Sequence, residues 1–570
     1  MPSWKRDNLY FQENSCQRGW VPSMILQLNE PTLDRLLDHA TTQFASKDAL
    51  IYNDVTITYD DLRVHVDNLA KGLIKLGVKK GDKVCIWMTD NAFWIYSYFA
   101  IARVGAVIVP INARLRSHDV EYVLKHGDAS ILIISDMNPD KQDYVRMVYE
   151  ICPEIAEQSG FEISTENGPN LKNVIVVGPK NHPGTVRLDR VMEMGKENVS
   201  DDELIQRQTE IRPEDLAVIQ YTSGTTSFPK GCLITHEIVV RNALACALRL
   251  EIEESGETFM DIMPPYHVLG ICFGLIPSIA YGCCRIGIEH FDPLEALKWI
   301  DKKKCTVHSG MGMMIKAELD HPDFYKYDLT SLRTGIFAGP STVIQQMKEL
   351  LPNWKALNIY GLSEVGGNVT TTRRNDPTHI AHFTQGTPHK GLKVAIIDPE
   401  TNRKCTDGTS GEIYAKGWSI MKGYYKDPKA TTETIDKDGW LHTGDKGRID
   451  ENKQLCFEGR IKDILKVGGE NVSPLELEDF LMKHPKTKYI QVVGIKDPKY
   501  DEVPAVFIEL KEDVDCTENE IIDFCRGKIA SFKIPKFVRF VKTWPVSATK
   551  VQKFKLKDQL ERELEILQAP

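Results

Sequence analysis

The strongest constraint on this chain is a set of short segments in which every residue is apolar, at 84–88, 106–109, 131–134 and 174–177. A strand with one wet face alternates polar and apolar residues. Runs apolar on both faces instead suit a largely parallel sheet that is covered on both sides. Helical patterns lie between some of them: Leu62, Val66, Leu69 and Leu73 share one helical face, and Gly77 sits where that helix would stop. Strands alternating with helices predict α/β layering. The chain has 570 residues, and at roughly 100–200 residues per domain it holds more than one.

Past residue 400 the texture changes. Turn signals become dense (Asp407-Gly408, Lys437-Asp438-Gly439, Thr443-Gly444-Asp445), and short pieces such as 411–415 read as strands, so a β-rich subdomain is expected. A new α+β unit begins near Arg460. Ser473-Pro474-Leu475-Glu476 has the form of a capping box with proline at the first helical position, and Thr517 with Glu520 repeats it. Leu556, Leu560, Leu564 and Leu567 mark a last amphipathic helix, expected to pack on its own small domain.

The fold class expected is thus α/β: a large N-terminal domain of layered α/β subdomains plus a β-rich subdomain, followed by a small, mobile α+β C-terminal domain. The boundaries expected are a tail at 1–30, the large domain at 31–459, a hinge at 460–463 and the small lid domain at 464–570. Within the tail, Asn8-Leu9-Tyr10-Phe11-Gln12 resembles part of a protease-tag site, so a tag remnant is expected at this end.

Lys and Arg total 71 against 80 Asp and Glu, a net charge of −9. That balance disfavours nucleic acid and anionic membranes, which need clustered basic charge. Thirteen cysteines show neither CxxC pairs nor Cys/His ligand spacing. Reduced thiols in an intracellular compartment are expected, with the cytoplasm favoured and the mitochondrial matrix as the alternative. The first 30 residues show no apolar secretory core. The longest uncharged apolar stretch, 268–284, is broken by Gly270, Gly274, Pro277 and Gly282 and reads as buried core, not a transmembrane span.

The segment Tyr221-Thr222-Ser223-Gly224-Thr225-Thr226-Ser227-Phe228-Pro229-Lys230-Gly231 is the most informative. Thr222, Ser223, Gly224, Thr225 and Thr226 are small or hydroxylated, so backbone N–H groups can approach an anion closely while the hydroxyls add donors. Lys230 supplies a compact positive charge. Together they describe a phosphate cradle, without the spacing of a Walker loop.

This segment resembles the phosphate loop of the adenylate-forming superfamily, which comprises acyl-CoA synthetases, beetle luciferases and the adenylation domains of peptide synthetases. Four further blocks follow in the family's order, so the resemblance spans roughly residues 33–560. It is nearest to the medium-chain, general fatty acyl-CoA ligases.

In the second block, Asn358-Ile359-Tyr360-Gly361-Leu362-Ser363-Glu364, the resemblance implies that Tyr360 stacks on adenine with Asn358 near its amino group, and that Ser363 donates to the α-phosphate. Glu364, with Thr225, is the implied site for Mg2+, a hard cation that wants oxygen ligands. Gly339-Pro340, upstream, resembles the wall on adenine's other face. In Trp440-Leu441-His442-Thr443-Gly444-Asp445, the family gives Asp445 both ribose hydroxyls.

In the fourth block, 459–471, Arg460 resembles a second ribose or phosphate contact and Lys462 falls at the family's hinge. Gly468 and Gly469 sit where the family lays its pantetheine tunnel, and Lys466 matches a lysine near the thioester-forming site, so all three are implied CoA contacts.

The fifth block, Pro545-Val546-Ser547-Ala548-Thr549-Lys550-Val551-Gln552-Lys553, resembles the loop of the adenylation lysine, Lys550. Here the chain departs from the family pattern. Glycine usually precedes that lysine, whereas this chain has Thr549 and a loop one residue shorter. Lys553 and Lys555 are the fallback candidates; the match over 551–556 favours Lys550.

His267, in Pro264-Pro265-Tyr266-His267-Val268-Leu269-Gly270, stands where amino-acid-activating relatives usually carry aspartate. It is the implied gate of an acyl pocket to which Val268, Gly270 and Gly335 belong, a pocket suited to an apolar tail.

The activity implied is a two-step ligation. A carboxylate attacks the α-phosphorus of ATP, with Lys230, Glu364 and Mg2+ steadying the phosphates and Lys550 bridging carboxylate and α-phosphate. A thiol, expected to be that of CoA, then takes the acyl group from acyl-AMP. The other readings are a luciferase-like oxygenase, acyl transfer to a carrier-protein phosphopantetheine, and a non-catalytic nucleotide-binding protein.

Overall fold

The protein is described by a computed structural model at residues 30–158, 160, 162–222, 229–254, 256–339, 341–468, 470–497, 499–547 and 550–568. The four apolar runs become the strands Lys83–Trp87, Val107–Pro110, Ala129–Ser135 and Asn173–Val177. They lie in a seven-stranded sheet ordered Val186–Arg187, Asn173–Val177, Ala129–Ser135, Lys83–Trp87, Val107–Pro110, Leu216–Thr222, Lys230–Thr235. Neighbours run parallel except the last pair. Ile133, Ile134 and Val84 have no exposed surface, as two-sided cover requires. The helix Tyr59–Lys75 turns Leu62, Val66, Leu69 and Leu73 fully inward, and Gly77 follows it at φ +82°, the left-handed geometry that stops a helix.

The exception in the sheet matters most. Leu216–Thr222 and Lys230–Thr235 form an antiparallel hairpin, with Thr222 opposite Lys230. Thr222, where the hydroxyl-rich segment begins, and Lys230 therefore stand opposite each other at the ends of two strands at the edge of a parallel sheet.

The second sheet has nine strands. Its parallel centre runs Lys355–Tyr360, Thr334–Ala338, Val307–Met311, Thr258–Asp261, Cys284–Gly287, Asp48–Tyr52, and antiparallel strands close both edges. The apolar stretch at 268–284 is buried core. It folds as the helical turn Val268–Gly270, a single π-turn Ile271–Leu275 and the helix Ile276–Ala280. Among the described residues no helix is long and apolar enough to cross a membrane.

One charged cluster joins the two sheets. Arg285, without exposed surface, sets Nη2 2.7 Å from Asp90 Oδ2 and Nε 2.7 Å from Asp261 Oδ2. Asp90 belongs to the end of the first sheet, just past Lys83–Trp87, whereas Arg285 and Asp261 sit on adjacent strands of the second. Tyr52 donates its phenolic hydrogen to Asp90 Oδ1. Burial pushes the Asp261 carboxyl up, and the Arg285 guanidinium opposes that shift.

A four-stranded antiparallel sheet follows, ordered Leu392–Ile397, Gly411–Gly417, Leu441–Ile449, Leu455–Arg460. This is the β-rich unit the turn signals predict. After the short turn Ile461–Asp463 a new sheet begins, ordered Glu470–Val472, Leu465–Val467, Asp501–Leu510, Thr487–Asp497, with Phe537–Phe540 parallel to Asp501–Leu510. Leu556 and Leu560 of the terminal helix Lys553–Gln568 pack on Val493, Ile495, Val503, Ala505 and Phe507 of this same sheet.

Both capping boxes form by half. Ser473 and Thr517 accept from the backbone N–H groups of Glu476 and Glu520. The two glutamates, however, turn outward to ion pairs with Lys533 and Lys486. A nearby ammonium competes with the reciprocal bond, and only the sequence-local half is visible in the motif.

Asp90→Ala is expected to destabilise the protein by about 3–5 kcal/mol, because it leaves a buried guanidinium under-compensated. A lowered midpoint of urea unfolding reads this. A loss below about 1 kcal/mol would show that Asp261 alone neutralises Arg285.

Candidate functional site

The site is built where the hairpin of the first sheet meets the end of Lys355–Tyr360 in the second. A segment from the β-rich unit stitches them together. Lys422 N–H donates to Leu233 O, Leu233 N–H to Gly423 O, and Tyr425 N–H to Gly231 O. Residues 422–425 thus run along the hairpin strand Lys230–Thr235. Met421 N–H donates to Glu364 O at 2.9 Å, which fastens the same segment to the turn Ser363–Val365.

This stitching brings Lys230 and Glu364 to one residue, Tyr424. Its hydroxyl donates to Glu364 Oε1 at 2.9 Å, and Lys230 Nζ lies 5.0 Å above its ring. Burial, then the adjacent carboxylate, holds the Tyr424 phenol far above its usual range, so it remains a neutral donor. Among the described residues Glu364 is hydrogen-bonded at Oε1 and not at Oε2. A half-buried carboxylate and a lysine that meet at one tyrosine suit a hard cation bridged to phosphate.

A second chain of contacts starts at Tyr360. Gly361, next to it, has no room for a side chain, since a Cβ would stand 1.9 Å from Gly367 O. That approach folds the strand end back on itself. The Tyr360 hydroxyl donates to Asp445 Oδ2 at 2.7 Å, Asp445 Oδ1 lies 3.1 Å from Arg460 Nε, and the Tyr360 ring rests against Phe457 at 5.6 Å between centroids. Asp445 is 3% exposed, and a phenol and a guanidinium face its carboxylate. Burial and Asp445 together push the Tyr360 phenol well up.

The remaining predicted residues fall as follows. Ser363 opens its turn, and Thr222 Oγ1 donates to Lys230 O across the hairpin. Asn358 spends its amide within the protein: Nδ2 donates to Thr384 O, and Oδ1 accepts from Ile359 N–H. His267 caps the turn Val268–Gly270 by accepting from Leu269 N–H at Nδ1. Gly335 lies on Thr334–Ala338, where a Cβ would stand 1.6 Å from His308 O. Gly339 packs on Gly312 in the same way at the end of that strand.

Lys462 is exposed in the turn between the β-rich sheet and the small sheet. Lys466 is exposed on Leu465–Val467, and Gly468 follows at φ +60° with its N–H on Tyr500 O. Lys550 lies on a two-residue strand, its backbone opposite Ser547. Lys553 is engaged elsewhere, with Nζ 2.6 Å from the buried Glu478 carboxylate. Ser223, Gly224, Thr225, Thr226, Pro340 and Gly469 lie outside the described residues.

Tyr424 is the site residue that sequence reading misses. Gly423-Tyr424-Tyr425 follows a turn-rich stretch without a spacing signal, and its meaning comes only from pairing with a strand nearly 200 residues earlier. His126 is similar: its Nδ1 shares a 2.8 Å hydrogen bond with the Tyr221 hydroxyl and so braces the strand Leu216–Thr222 one residue before its end.

A family model described as AMP-binding enzyme matches residues 37–425, and one described as AMP-binding enzyme C-terminal domain matches 476–550. The chain belongs to the AMP-binding enzyme family. Among the relatives of this adenylate-forming family is a protein of Bacillus subtilis named putative acyl-CoA synthetase YngI, 37% identical over 539 residues, covering 94% of this chain and 98% of the relative. A human protein named medium-chain acyl-CoA ligase ACSF2, mitochondrial, is 33% identical over 556 residues, covering 95% and 89%. The fold matches ATP-bound MatB of Rhodopseudomonas palustris at a TM-score of 0.80, with 23% identity over 93% of this chain and 99% of that one. It matches the anthranilate CoA ligase AuaEII at 0.83, with 24% identity over 94% and 98%. The α/β body with a smaller C-terminal domain is therefore that of adenylate-forming enzymes.

Tyr424→Phe is expected to lower kcat/KM for ATP about tenfold, the worth of one hydrogen bond to a charged group. Its thermal midpoint should hold within a few degrees of the parent (about 1 kcal/mol). An unchanged kcat/KM would show that Glu364 is positioned without the phenol.

Proposed function

We propose that this enzyme is an AMP-forming acyl-CoA synthetase that activates an apolar carboxylic acid, a medium-chain fatty acid being favoured, and passes it to CoA. The observation that carries the proposal is the placement of two contact chains on one strand end. Lys230, Tyr424 and Glu364 form one end, suited to phosphates; Tyr360, Asp445 and Arg460 form the other, suited to a ribose. Residues 360 to 364 join them, so a single nucleotide spans both.

A free carboxylate is a poor electrophile because resonance and charge protect its carbon. In the proposed first step its oxygen attacks the α-phosphorus of ATP in line and pyrophosphate leaves. Lys230 and the N–H and hydroxyl groups of Thr222, Ser223, Gly224, Thr225 and Thr226 hold the phosphate oxygens. Ser363 donates to the α-phosphate, and Asp445 accepts the ribose hydroxyls. Glu364, with Thr225, would hold Mg2+, which when bound neutralises the phosphates. Lys550 bridges the carboxylate and α-phosphate as charge shifts between them, a preorganised donor of the kind typically worth ~10²–10³ in rate. In the second step the thiolate of CoA attacks the acyl carbon of acyl-AMP and AMP leaves with the bonding pair. Lys466, Gly468 and Gly469 are assigned to CoA. His267, with Val268, Gly270 and Gly335, borders the acyl pocket.

The two steps need opposite states of Lys550, which must be present for adenylation and withdrawn when the thiol enters. Rotation of residues 464–570 about Lys462 meets both demands. The exposed turn Ile461–Asp463 is short enough to act as that hinge. We infer that the chain works inside the cell, with the cytoplasm favoured and the mitochondrial matrix as the alternative.

A panel of saturated acids assayed with ATP, Mg2+ and CoA should release AMP and form acyl-CoA, most efficiently at medium chain length. Release of AMP only with amino acids or aromatic acids would overturn the substrate class. Lys550→Ala should abolish adenylate formation, a loss of about 10²-fold or more, yet still convert supplied acyl-AMP to acyl-CoA. Equal loss of both half-reactions would defeat the role given to Lys550.

A further inference from the structure

We propose that Glu478 is a positioning residue for adenylation: through Lys553 it fixes the stem of the hairpin that carries Lys550, the assignment of Lys550 above being its premise. Glu478 lies on the helix Pro474–Leu481, its side chain 8% exposed, between Leu477 and Leu481 of an apolar cluster. A carboxylate in such surroundings is costly unless it is paired and hydrogen-bonded. It has both kinds of partner on one oxygen: Lys553 Nζ at 2.6 Å and the Val492 N–H at 2.8 Å. The acid therefore ties three elements together: its own helix, the strand Thr487–Asp497 and the first residue of the terminal helix.

Lys553 stands three residues beyond Lys550. The other stem is pinned as well. Trp544 Nε1 donates to Glu509 Oε2 at 2.6 Å, and its ring meets Tyr489 edge-on at 5.2 Å. Glu509 lies on Asp501–Leu510 and Tyr489 on its neighbour Thr487–Asp497, the strand whose Val492 N–H donates to Glu478. Between the pins, Gln552 N–H donates to Pro545 O at 2.7 Å, Val546 pairs with Val551 and Ser547 with Lys550.

The backbone at Lys550 is thus set by a short hairpin anchored at both feet to one sheet. Lys550 stands only three residues from the Lys553 anchor and pairs with Ser547, so little slack remains between anchor and lysine. Misplacing a reacting group by about 1 Å can cost on the order of 10²-fold in rate. Releasing the Lys553 foot is expected to act on that scale, and on one half-reaction only, since the thioester step requires Lys550 to be absent.

The test measures both half-reactions in full-length Glu478→Gln, Lys553→Met and Lys553→Arg, beside Lys550→Ala. Adenylation is read as pyrophosphate release from acid and ATP without CoA, and thioester formation as acyl-CoA made from synthetic acyl-AMP and CoA. Glu478→Gln and Lys553→Met should lower adenylation about 10–100-fold and leave thioester formation near the parent rate, while Lys553→Arg, which keeps the ion pair, restores adenylation. Should Glu478→Gln fold poorly, judged by its thermal midpoint, Lys553→Met carries the test, because Lys553 is partly exposed. Parallel loss of both half-reactions, or loss of neither, overturns the proposal. Retention of adenylation by Lys550→Ala instead overturns the premise about Lys550.

Discussion

The arrangement of this enzyme depends on backbone hydrogen bonds between residues 421–425 and the hairpin strand Lys230–Thr235. A parallel sheet offers a loop at the end of each strand, but those loops reach only local neighbours. An antiparallel hairpin at the sheet edge presents a free row of N–H and C=O groups, and a distant segment can pair with it. Pairing satisfies the edge and in the same act delivers Tyr424 between a lysine of one sheet and a glutamate of the other. Lys230, Tyr424 and Glu364 are therefore brought together by main-chain geometry, and the side chains add only the last contacts.

The polar groups of the site share a second property. Tyr360 and Tyr424 are phenols whose burial beside a carboxylate keeps them protonated, so each is a fixed neutral donor across the working pH range. Donors of this kind orient Asp445 and Glu364 without adding a charge of their own: Glu364 accepts its phenol at Oε1, and Asp445 accepts its phenol at Oδ2 while Arg460 faces Oδ1.

Much of this was legible in the residues. Two-sided apolar runs translate directly into covered parallel strands, and the helical face of Leu62, Val66, Leu69 and Leu73 into a buried one, because both depend on local spacing. The ordered motifs identify the family for the same reason. What escaped the residues is long-range. Glu476 and Glu520 match a capping box letter for letter, yet each prefers an ammonium brought from elsewhere. Tyr424 and Arg285 have no local pattern at all, since their partners lie on other elements. Asn358 falls between these cases: the motif marks it, but its amide bonds to Thr384 O and Ile359 N–H within the protein.

The buried trio of Arg285, Asp90 and Asp261 has a bearing on engineering. Its members are drawn from both α/β layers, so neither layer is an independent module despite each having its own sheet. A chimera that takes one layer from this chain and the other from a relative lacking the matching acid would trap a naked cation at the seam. Viable crossover points are thus confined to places that keep all three together, and the exposed turn Ile461–Asp463, beyond both layers, is the natural place to cut.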